Sequence, residues 1–321
     1  MTKTRIDAFG AVSLIGFALL LGFNQVVIKV TNEGLQPVFF AALRSLGGAA
    51  VIWLWIRWRG IPLSLPRRTW RAGLLIGAVF AVEFILLFLA LDLTSVTRVS
   101  VIYYSMPIWM ALAAHVLIPG ERLTPVKAAG LALAFAGVVV ALVSRVAQPG
   151  EGGLLGDLLA LGAAMTWAAI PLIVRVSELR TLRPEVQLLW QLVVSAPLLF
   201  VAAAFFGPAL RDPQWIHWAG LTFQILAIVS AGFLFWFWLL TIYPASTVAA
   251  FSFLSPIFGV GLGWLLLDEA VGPGILAALV LVCLGLALVN RPAPQVPQNV
   301  ARTTSSGAGG AARSRSSGPG S

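Results

Sequence analysis

The chain has 321 residues, of which 59% are hydrophobic and only 10% are charged, and its mean hydropathy is +0.94. A soluble domain carries roughly 25% charged residues, so this composition excludes a water-soluble globular protein. The net charge is +9, and one cysteine with two histidines excludes an intramolecular disulfide and predicts neither a metal site nor another cofactor.

Apolar runs of helical length recur along the chain. A bilayer core of ~30 Å needs ~20 apolar residues in a helix, and the runs are unbroken rather than alternating, which favours helices over a closed barrel. The first run is too long for the apolar core of a cleaved signal peptide, so we expect it to be retained. The ten predicted spans are 8–30, 37–58, 72–91, 96–118, 126–145, 155–176, 185–206, 218–240, 247–267 and 274–290.

The basic residues are distributed unevenly between the two sides of these spans. All but five of the 21 Lys and Arg residues fall on the side of the N-terminus. The exceptions are Lys29, Arg145 and Arg211 on the opposite side, and Arg44 and Arg98 within spans. Cytoplasmic loops carry the excess of Lys and Arg, so we expect a multi-pass protein of a bacterial-type inner membrane with both termini in the cytoplasm. The positive charge then indicates contact with anionic lipid rather than with nucleic acid.

The two halves of the chain resemble each other at an offset of 146 to 149 residues. Each half contains five spans, and an odd number forces the second copy to enter from the opposite side. The fold class expected is therefore all-α, with ten transmembrane helices in two inverted five-helix repeats, an architecture typical of secondary transporters. The matched positions are Gly10 and Gly156, Gly16 and Gly162, Lys29 and Arg175, Pro37 and Pro184, and Pro107 and Pro256.

These matches divide the chain into three parts. The first repeat covers residues 1–148 and the second covers residues 149–291. The tail of residues 292–321 is rich in Pro, Ala, Gly and Ser without an apolar run, and we expect it to be disordered in the cytoplasm. In transporters of inverted repeats the substrate lies near the membrane midplane between the repeats, so polar groups at that depth are candidates for a central cavity.

Two amides, Asn24 and Gln25, lie in the middle of span one. Interhelical polar bonds in membranes average only ~0.6 kcal/mol, so helix packing alone is a weak reason to place two amides there. We predict that Asn24 lines the cavity, and Gln25 either lines it or joins helices.

Glu83 in the middle of span three is the strongest candidate for function. A charged side chain at that depth costs about 3 kcal/mol unless it faces a cavity or a partner. The functional interpretation is a ligand for a substrate ammonium group or a proton carrier. The structural alternative is a carboxyl group that clamps helices through Arg98 or a tyrosine.

Arg44 in span two and Arg98 in span four are predicted to act at the gates. Each can bind a carboxylate or hold a structural ion pair, and structural pairing is the favoured interpretation. Glu33 is the acid near Arg44 and Asp92 the acid near Arg98.

Prolines interrupt spans four and nine at corresponding positions, Pro107 and Pro256, and Pro171 interrupts span six. A proline removes a backbone donor and frees a carbonyl one turn earlier, and paired interruptions in both halves point to a transporter site. The alternative is a kink that neighbouring helices satisfy. The side chains predicted to face the cavity beside these prolines are Tyr103, Ser252 and Ser255.

Aromatic residues inside spans, rather than at their ends, are further candidates for the cavity wall. A buried indole usually finds a polar partner, which favours positions beside a polar cavity. The predicted wall residues are Trp167, Trp190, Gln191, Phe233 and Trp236.

Over roughly residues 6–291 the chain resembles EamA-type members of the drug/metabolite transporter superfamily. The resemblance is carried by the ends at Lys29 and Arg175, by Pro107 and Pro256, and by the segments GERLTPVKAAGLALAFAGVVV and LDEAVGPGILAALVLVCLGLAL. The aromatic content is similar to that of bacterial amino-acid exporters, including those for aromatic amino acids. The resemblance implies export of amino acids or related small metabolites by alternating access through a central cavity. One departure is Gln191 at the position that corresponds to Arg44.

The alternative function is efflux of hydrophobic organic cations, which Glu83 and aromatic rings also suit through charge and cation–π attraction. An enzyme is not predicted, because the chain lacks HExxH, GxSxG and phosphate-loop motifs. Gly259 and Gly263 permit close helix approach, which we expect within one chain, giving a monomer or a weak dimer.

Overall fold

A computed structural model describes residues 7–118, 123–144, 154–243 and 251–289. The part of the chain that it describes is helical, with one isolated bridge between Leu35 and Leu210. The helices are α1 (Ala8–Gly34), α2 (Pro37–Trp58), α3 (Arg67–Leu93), α4 (Val96–Tyr103), α5 (Met106–Leu117), α6 (Pro125–Val143), α7 (Leu154–Val176), α8 (Pro184–Ala203), α9 (Trp215–Phe223), α10 (Phe233–Ile242), α11 (Leu254–Leu267) and α12 (Pro273–Val289).

Eight helical stretches of the described residues are long and apolar enough to cross a membrane, and α11 and α12 are shorter apolar helices. The pair α4 and α5 forms one of the eight, and α9 with α10 forms another. The predicted ten-helix membrane fold is therefore confirmed. The predicted tail of residues 292–321 and the first residues of span nine lie outside the described residues.

Local sequence sets where several helices begin. The Asp7 side chain accepts from the Gly10 N–H at α1, and the Gln36 side chain accepts from Phe39 N–H just before Pro37 opens α2. Thr124 caps α6 in the same way, followed by Pro125 at the first helical position. Side-chain acceptors at the N-cap and proline at the next position are the favoured starting signals of helices.

Two spans are broken in ways that bear on function. Span four bends between Tyr103 and Met106, which places Pro107 in the first turn of α5 rather than inside a continuous helix. Span eight contains a π-helical segment, Gln224–Gly232, that periodicity did not predict. Pro256 also lies in a first turn, that of α11, after a 3₁₀ turn at Phe251–Phe253, whereas α7 continues through Pro171. Pro107 and Pro256 therefore occupy corresponding places, each in the first turn of a helix that follows a break.

Helix contacts repeat between the two halves. Helix α1 packs along α11, and its counterpart α7 packs on α4 and α5, which is the same relation with the halves exchanged. The corresponding pairs α2 with α8 and α6 with α12 pack directly on each other. An exchange of this kind is what two copies of one five-span unit produce.

Glycine permits the closest of these contacts. A Cβ on Gly22 of α1 would lie 2.8 Å from the backbone nitrogen of Gly259 in α11, so the two backbones touch there. Gly263, one turn further along α11, lies against Thr97 of α4. The Gly259 and Gly263 pair therefore packs within the chain, as expected of small residues at helix crossings in membranes.

The bundle has two ends, which we call the near face and the far face. The near face is the end at which α1 begins, at Ala8, and the far face is the end at which α1 ends, at Gly34. The Arg68–Glu178 ion pair lies at the near face, and the Leu35–Leu210 bridge lies at the far face.

Candidate functional site

A cavity of about 150 Å³ lies between α1, α7 and the second half of span eight. Its wall on α1 is confined to the helix's first half, which places the cavity toward the near face. No Asp, Glu, Lys or Arg belongs to this wall in the described part of the chain. The lining residues are Leu14, Phe17, Ala18, Leu20, Leu21, Tyr104, Trp167, Ile228, Gly232, Phe233, Trp236, Phe251 and Ser255.

Aromatic pairs shape the cavity. Phe17 of α1 stacks on Trp236 of α10 with ring centroids 5.0 Å apart. Trp167 of α7 stacks on Tyr103 at 4.8 Å with an interplanar angle of 12°, and Tyr104 meets Trp167 edge-on at 6.3 Å. Offset-stacked and edge-on pairs are the favoured ring geometries, so these walls are held in defined orientations.

Four residues predicted from the sequence lie in this lining: Trp167, Phe233, Trp236 and Ser255. The tyrosine of the lining is Tyr104 rather than the predicted Tyr103. The Tyr104 hydroxyl donates to the Leu21 carbonyl at 3.0 Å. The side chain of Ser252 lies outside the described residues.

Glu83 lies behind the cavity wall and is 2% exposed. The Tyr103 hydroxyl donates to its Oε1 at 2.7 Å, which is the tyrosine clamp that the sequence left open as an alternative. The second oxygen, Oε2, has no hydrogen-bond partner among the described residues. Glu83 is therefore connected to the cavity wall through Tyr103, whose ring stacks on Trp167.

Arg44 is the positive group that interacts electrostatically with this carboxyl. It is 2% exposed, and its guanidinium lies 4.0 Å from the centroid of the Phe84 ring. Its Nε and Nη1 atoms have no hydrogen-bond partner among the described residues. The charges of Arg44 and Glu83 interact electrostatically without an ion-pair contact. Of the two partners that the sequence allows for Arg44, Glu33 forms no ion pair with it among the described residues, and a substrate carboxylate stays a prediction.

The two amides of span one join helices instead of lining the cavity. The Asn24 side-chain oxygen accepts from the side-chain amide of Gln224, at the first residue of the π-helical segment. Gln25 is buried, and its Oε1 accepts from the Ser100 hydroxyl at 3.0 Å. Both contacts tie α1 to an interrupted span.

Trp190 and Gln191 also lie outside the cavity lining. The Trp190 ring packs against Gly73 of α3, and the Gln191 side chain donates to the Gln187 carbonyl of its own helix at 3.3 Å. Trp190 therefore supports the packing of α3 against α8. The structure places neither Trp190 nor Gln191 in the lining of this cavity, in contrast to the prediction.

A buried ion pair joins the two halves of the chain at the far face. Arg98 Nη2 lies 2.5 Å from Asp157 Oδ2, with the two side chains 8% and 0% exposed. Arg98 also donates to the carbonyls of Ala141 and Ser144, at 2.6 and 3.2 Å. The expected pairing of Arg98 with Asp92 is wrong, because Asp92 accepts from Arg211 at 2.8 Å.

A second carboxylate closes the same face. Glu269, in the segment between α11 and α12, accepts the backbone N–H groups of Val96 and Thr97 at 2.6 and 2.7 Å. These N–H groups lie in the first turn of α4, where they have no acceptor within the helix and where a negative charge is favoured. Burial raises the pKa of Glu269 above its ordinary value of 4.5, although the Thr97 and Val96 N–H groups lower it. Lys29 adds a contact by donating to the Thr94 carbonyl at 2.9 Å.

Comparison with known proteins identifies the family. The model of the EamA-like transporter family matches residues 8–143 and again residues 154–291. The chain belongs to the EamA-like transporter family. It is accordingly a multi-pass membrane transporter and not an enzyme.

Relatives of this EamA-like chain have similar length. It is 28% identical to an uncharacterized transporter of Bacillus subtilis over 90% of this chain and 93% of that protein. It is 27% identical to a "Probable amino-acid metabolite efflux pump" of Escherichia coli over 83% of this chain and 89% of the pump. An aromatic amino acid exporter of Ancylobacter novellus is 32% identical over 49% of this chain and 55% of the exporter. A solved crystal structure has a TM-score of 0.62 at 24% identity over 87% of this chain and 97% of that chain, which shows the fold alone.

Sequence reasoning about this EamA-like chain missed Tyr104, Phe17, Asp157 and Glu269. Tyr104 adjoins Tyr103, and only the helix break decides which ring faces the cavity. Asp157 follows Gly156 and Glu269 stands in the repeated acidic turn, so their positions were visible in the matched repeat. The partner of Asp157 lies 59 residues away in sequence and that of Glu269 lies 173 residues away. Only tertiary packing brings such distant residues together.

Proposed function

We propose that the chain exports amino acids or related small metabolites across the inner membrane by alternating access. The observation that carries the proposal is the asymmetry of the bundle. An aromatic cavity lies toward the near face, while the Arg98–Asp157 pair and the Glu269 contacts close the far face. Two opposed gates around a midplane site are what a secondary transporter of inverted repeats requires.

The moving parts in this proposal are the two repeats, residues 1–148 and 149–291. The far-face contacts join them: Asp157 and Glu269 belong to the second repeat, and their partners belong to the first. Rocking of one repeat against the other breaks these contacts and opens the far face. The excess of basic residues at the near face supports a cytoplasmic near face, with both termini on that side.

The cavity chemistry supports an apolar side chain on the substrate. Its wall is formed almost entirely by aliphatic and aromatic groups, which bind hydrocarbon rather than sugar or phosphate. The printed names of the Escherichia coli and Ancylobacter novellus relatives support amino acids as the substrate class.

Efflux of hydrophobic organic cations is the second candidate. The rings of Phe17, Trp167, Phe233 and Trp236 favour it, because aromatic faces attract cations. The buried positive charge of Arg44 near Glu83 counts against it.

Counterflow into proteoliposomes tests the proposal. Vesicles preloaded with one unlabelled amino acid are diluted into the same labelled amino acid, across a panel of aromatic, aliphatic and hydroxyl side chains. We expect labelled apolar amino acids to accumulate above the level of protein-free vesicles. Absence of accumulation with a folded, monodisperse protein, together with counterflow of an organic cation, would replace amino-acid export by the second candidate.

A further inference from the structure

Two buried charged side chains in the middle of the bundle keep free hydrogen-bonding atoms. Glu83 retains Oε2, and Arg44 retains the Nε and Nη1 donors, with no partner among the described residues. A buried charge without a partner costs several kcal/mol, so both groups are normally satisfied in a folded protein. The free atoms comprise one acceptor on a carboxylate and two donors on a guanidinium.

The surrounding side chains hold these two groups in place. The Phe84 ring lies beneath the Arg44 guanidinium at 4.0 Å, and the Tyr103 hydroxyl holds the other oxygen of Glu83 at 2.7 Å. The Tyr103 ring stacks on Trp167, which is part of the cavity wall. The charged pair is therefore a fixed polar site one aromatic layer away from an apolar cavity.

We propose that Glu83 and Arg44 bind the headgroup of a zwitterionic substrate, with the substrate ammonium on Oε2 of Glu83 and its carboxylate on the free donors of Arg44. The inference rests on the transport function proposed above and narrows its substrate to α-amino acids with both charges intact. The apolar side chain of the substrate occupies the aromatic cavity. Access to the headgroup site requires the Trp167 and Tyr103 rings to separate.

Charge balance favours a zwitterion over a singly charged substrate. A hydrophobic cation satisfies Glu83 and adds a second positive charge beside Arg44. An anion satisfies Arg44 and adds a second negative charge beside Glu83. A zwitterion completes the hydrogen bonds of both residues without adding net charge to a site of low dielectric constant, where like charges repel strongly.

The unmodified protein provides the first test, so that no variant needs to fold. The amino acid with the strongest counterflow is labelled, and analogues that keep its side chain compete for uptake. For phenylalanine these are 2-phenylethylamine, which lacks the carboxylate, 3-phenylpropionate, which lacks the amine, and the methyl ester. We expect each analogue to compete about tenfold more weakly or worse, because each loses hydrogen bonds to a charged group.

Two variants assign the charges to their residues. Arg44→Gln should remove the preference for phenylalanine over 2-phenylethylamine, and Glu83→Gln should remove the preference over 3-phenylpropionate. Arg211→Gln, which alters a half-exposed far-face pair, is the matched control and should keep both preferences. Equal competition by all analogues in the unmodified protein would overturn the headgroup site and leave amino-acid transport standing. Absence of amino-acid counterflow would overturn the proposed function itself.

Discussion

Arg98 and Asp157, 59 residues apart in sequence, form a buried ion pair that joins α4 to α7 at the far face. The guanidinium also donates to two backbone carbonyls near the end of α6, so one side chain ties three helices together. The partner Asp157 further accepts from the Thr94 hydroxyl at 3.2 Å. This cluster is the main polar closure of the far face, and its loss has measurable consequences.

Replacement of Arg98 by alanine is expected to destabilise the protein strongly. Asp157 is fully buried and would lose its ion pair with Arg98, and breaking a buried pair costs about 3–5 kcal/mol. Thermal unfolding in detergent, followed by tryptophan fluorescence, measures the effect. Arg211→Ala is the matched control, because its pair with Asp92 is partly exposed and contributes at most about 1 kcal/mol. Equal Tm losses for both variants would show that the Arg98 pair does not close the far face.

We expect the pH dependence of stability to reflect the protonation of the Glu269 carboxyl. Burial raises its pKa in the closed far face above the ordinary 4.5, so closure favours the protonated carboxyl. The stability that this group contributes is fully present below its ordinary pKa and is lost as the pH rises through the raised value. The Tm of the unmodified protein should therefore fall more steeply than that of Glu269→Gln as the pH rises from about 4. Glu178→Gln, at an exposed near-face pair, serves as the control, and parallel profiles for all three proteins would contradict the prediction.

Much of the fold follows from composition alone. Runs of apolar residues and the matched repeat predict ten spans because lipid requires every backbone group to bond within its own helix. The break in span four was also indicated, by Pro107, although its position at Tyr103–Met106 was not. The π-helical segment at Gln224–Gly232 has no such signal, since it contains neither proline nor an unusual periodicity.

The site was only partly predictable. The positions of Glu83 and Arg44 within predicted spans identified them as candidates, because an ionisable side chain inside a membrane is costly unless it has a partner or a function. The sequence could not tell which face of each helix meets the cavity, so Tyr104 was missed and Trp190 was placed in the wall. The sequence favours the cavity for Asn24 because helix packing alone is a weak reason to place an amide there, and it cannot reveal the partner Gln224, which is 200 residues away.

Substitution of Gly22 tests the closest helix contact. A Cβ at this position would meet the backbone of Gly259 at 2.8 Å, which cannot yield as a flexible side chain can. We expect Gly22→Ala to cost about 1–3 kcal/mol through overpacking. Gly16→Ala on the same helix meets nothing within 4 Å and should be neutral or stabilising, since alanine favours helices by up to about 1 kcal/mol. Tm values that do not separate the two variants would contradict the packing of α1 on α11.

Trp167 is expected to matter for transport through its ring rather than its volume. Trp167→Ala removes a ring of the cavity wall that an aromatic substrate would contact, and an aromatic pair contributes about 0.5–1.5 kcal/mol, which corresponds to a loss of up to about tenfold in transport rate. Trp167→Phe keeps a ring at the wall and should retain most of the rate. Trp58→Ala, at a side chain that is 74% exposed, is the control and should not change counterflow. Equal rates for all three variants would remove Trp167 from the substrate path.

The far face must open for substrate to cross, and a reversible cross-link tests this requirement most directly. Gly263 and Thr97 suit the cross-link, since a Cβ on Gly263 lies 3.0 Å from Thr97 Cγ2 across the α11–α4 contact, within reach of a disulfide. Thr97→Cys and Gly263→Cys are introduced together in a Cys283→Ser background, with each single cysteine as a control, and amino-acid counterflow is measured before and after oxidation. We expect oxidation to abolish counterflow in the double variant alone and a reductant to restore it. Undiminished counterflow by the fully cross-linked protein would contradict alternating access through this gate.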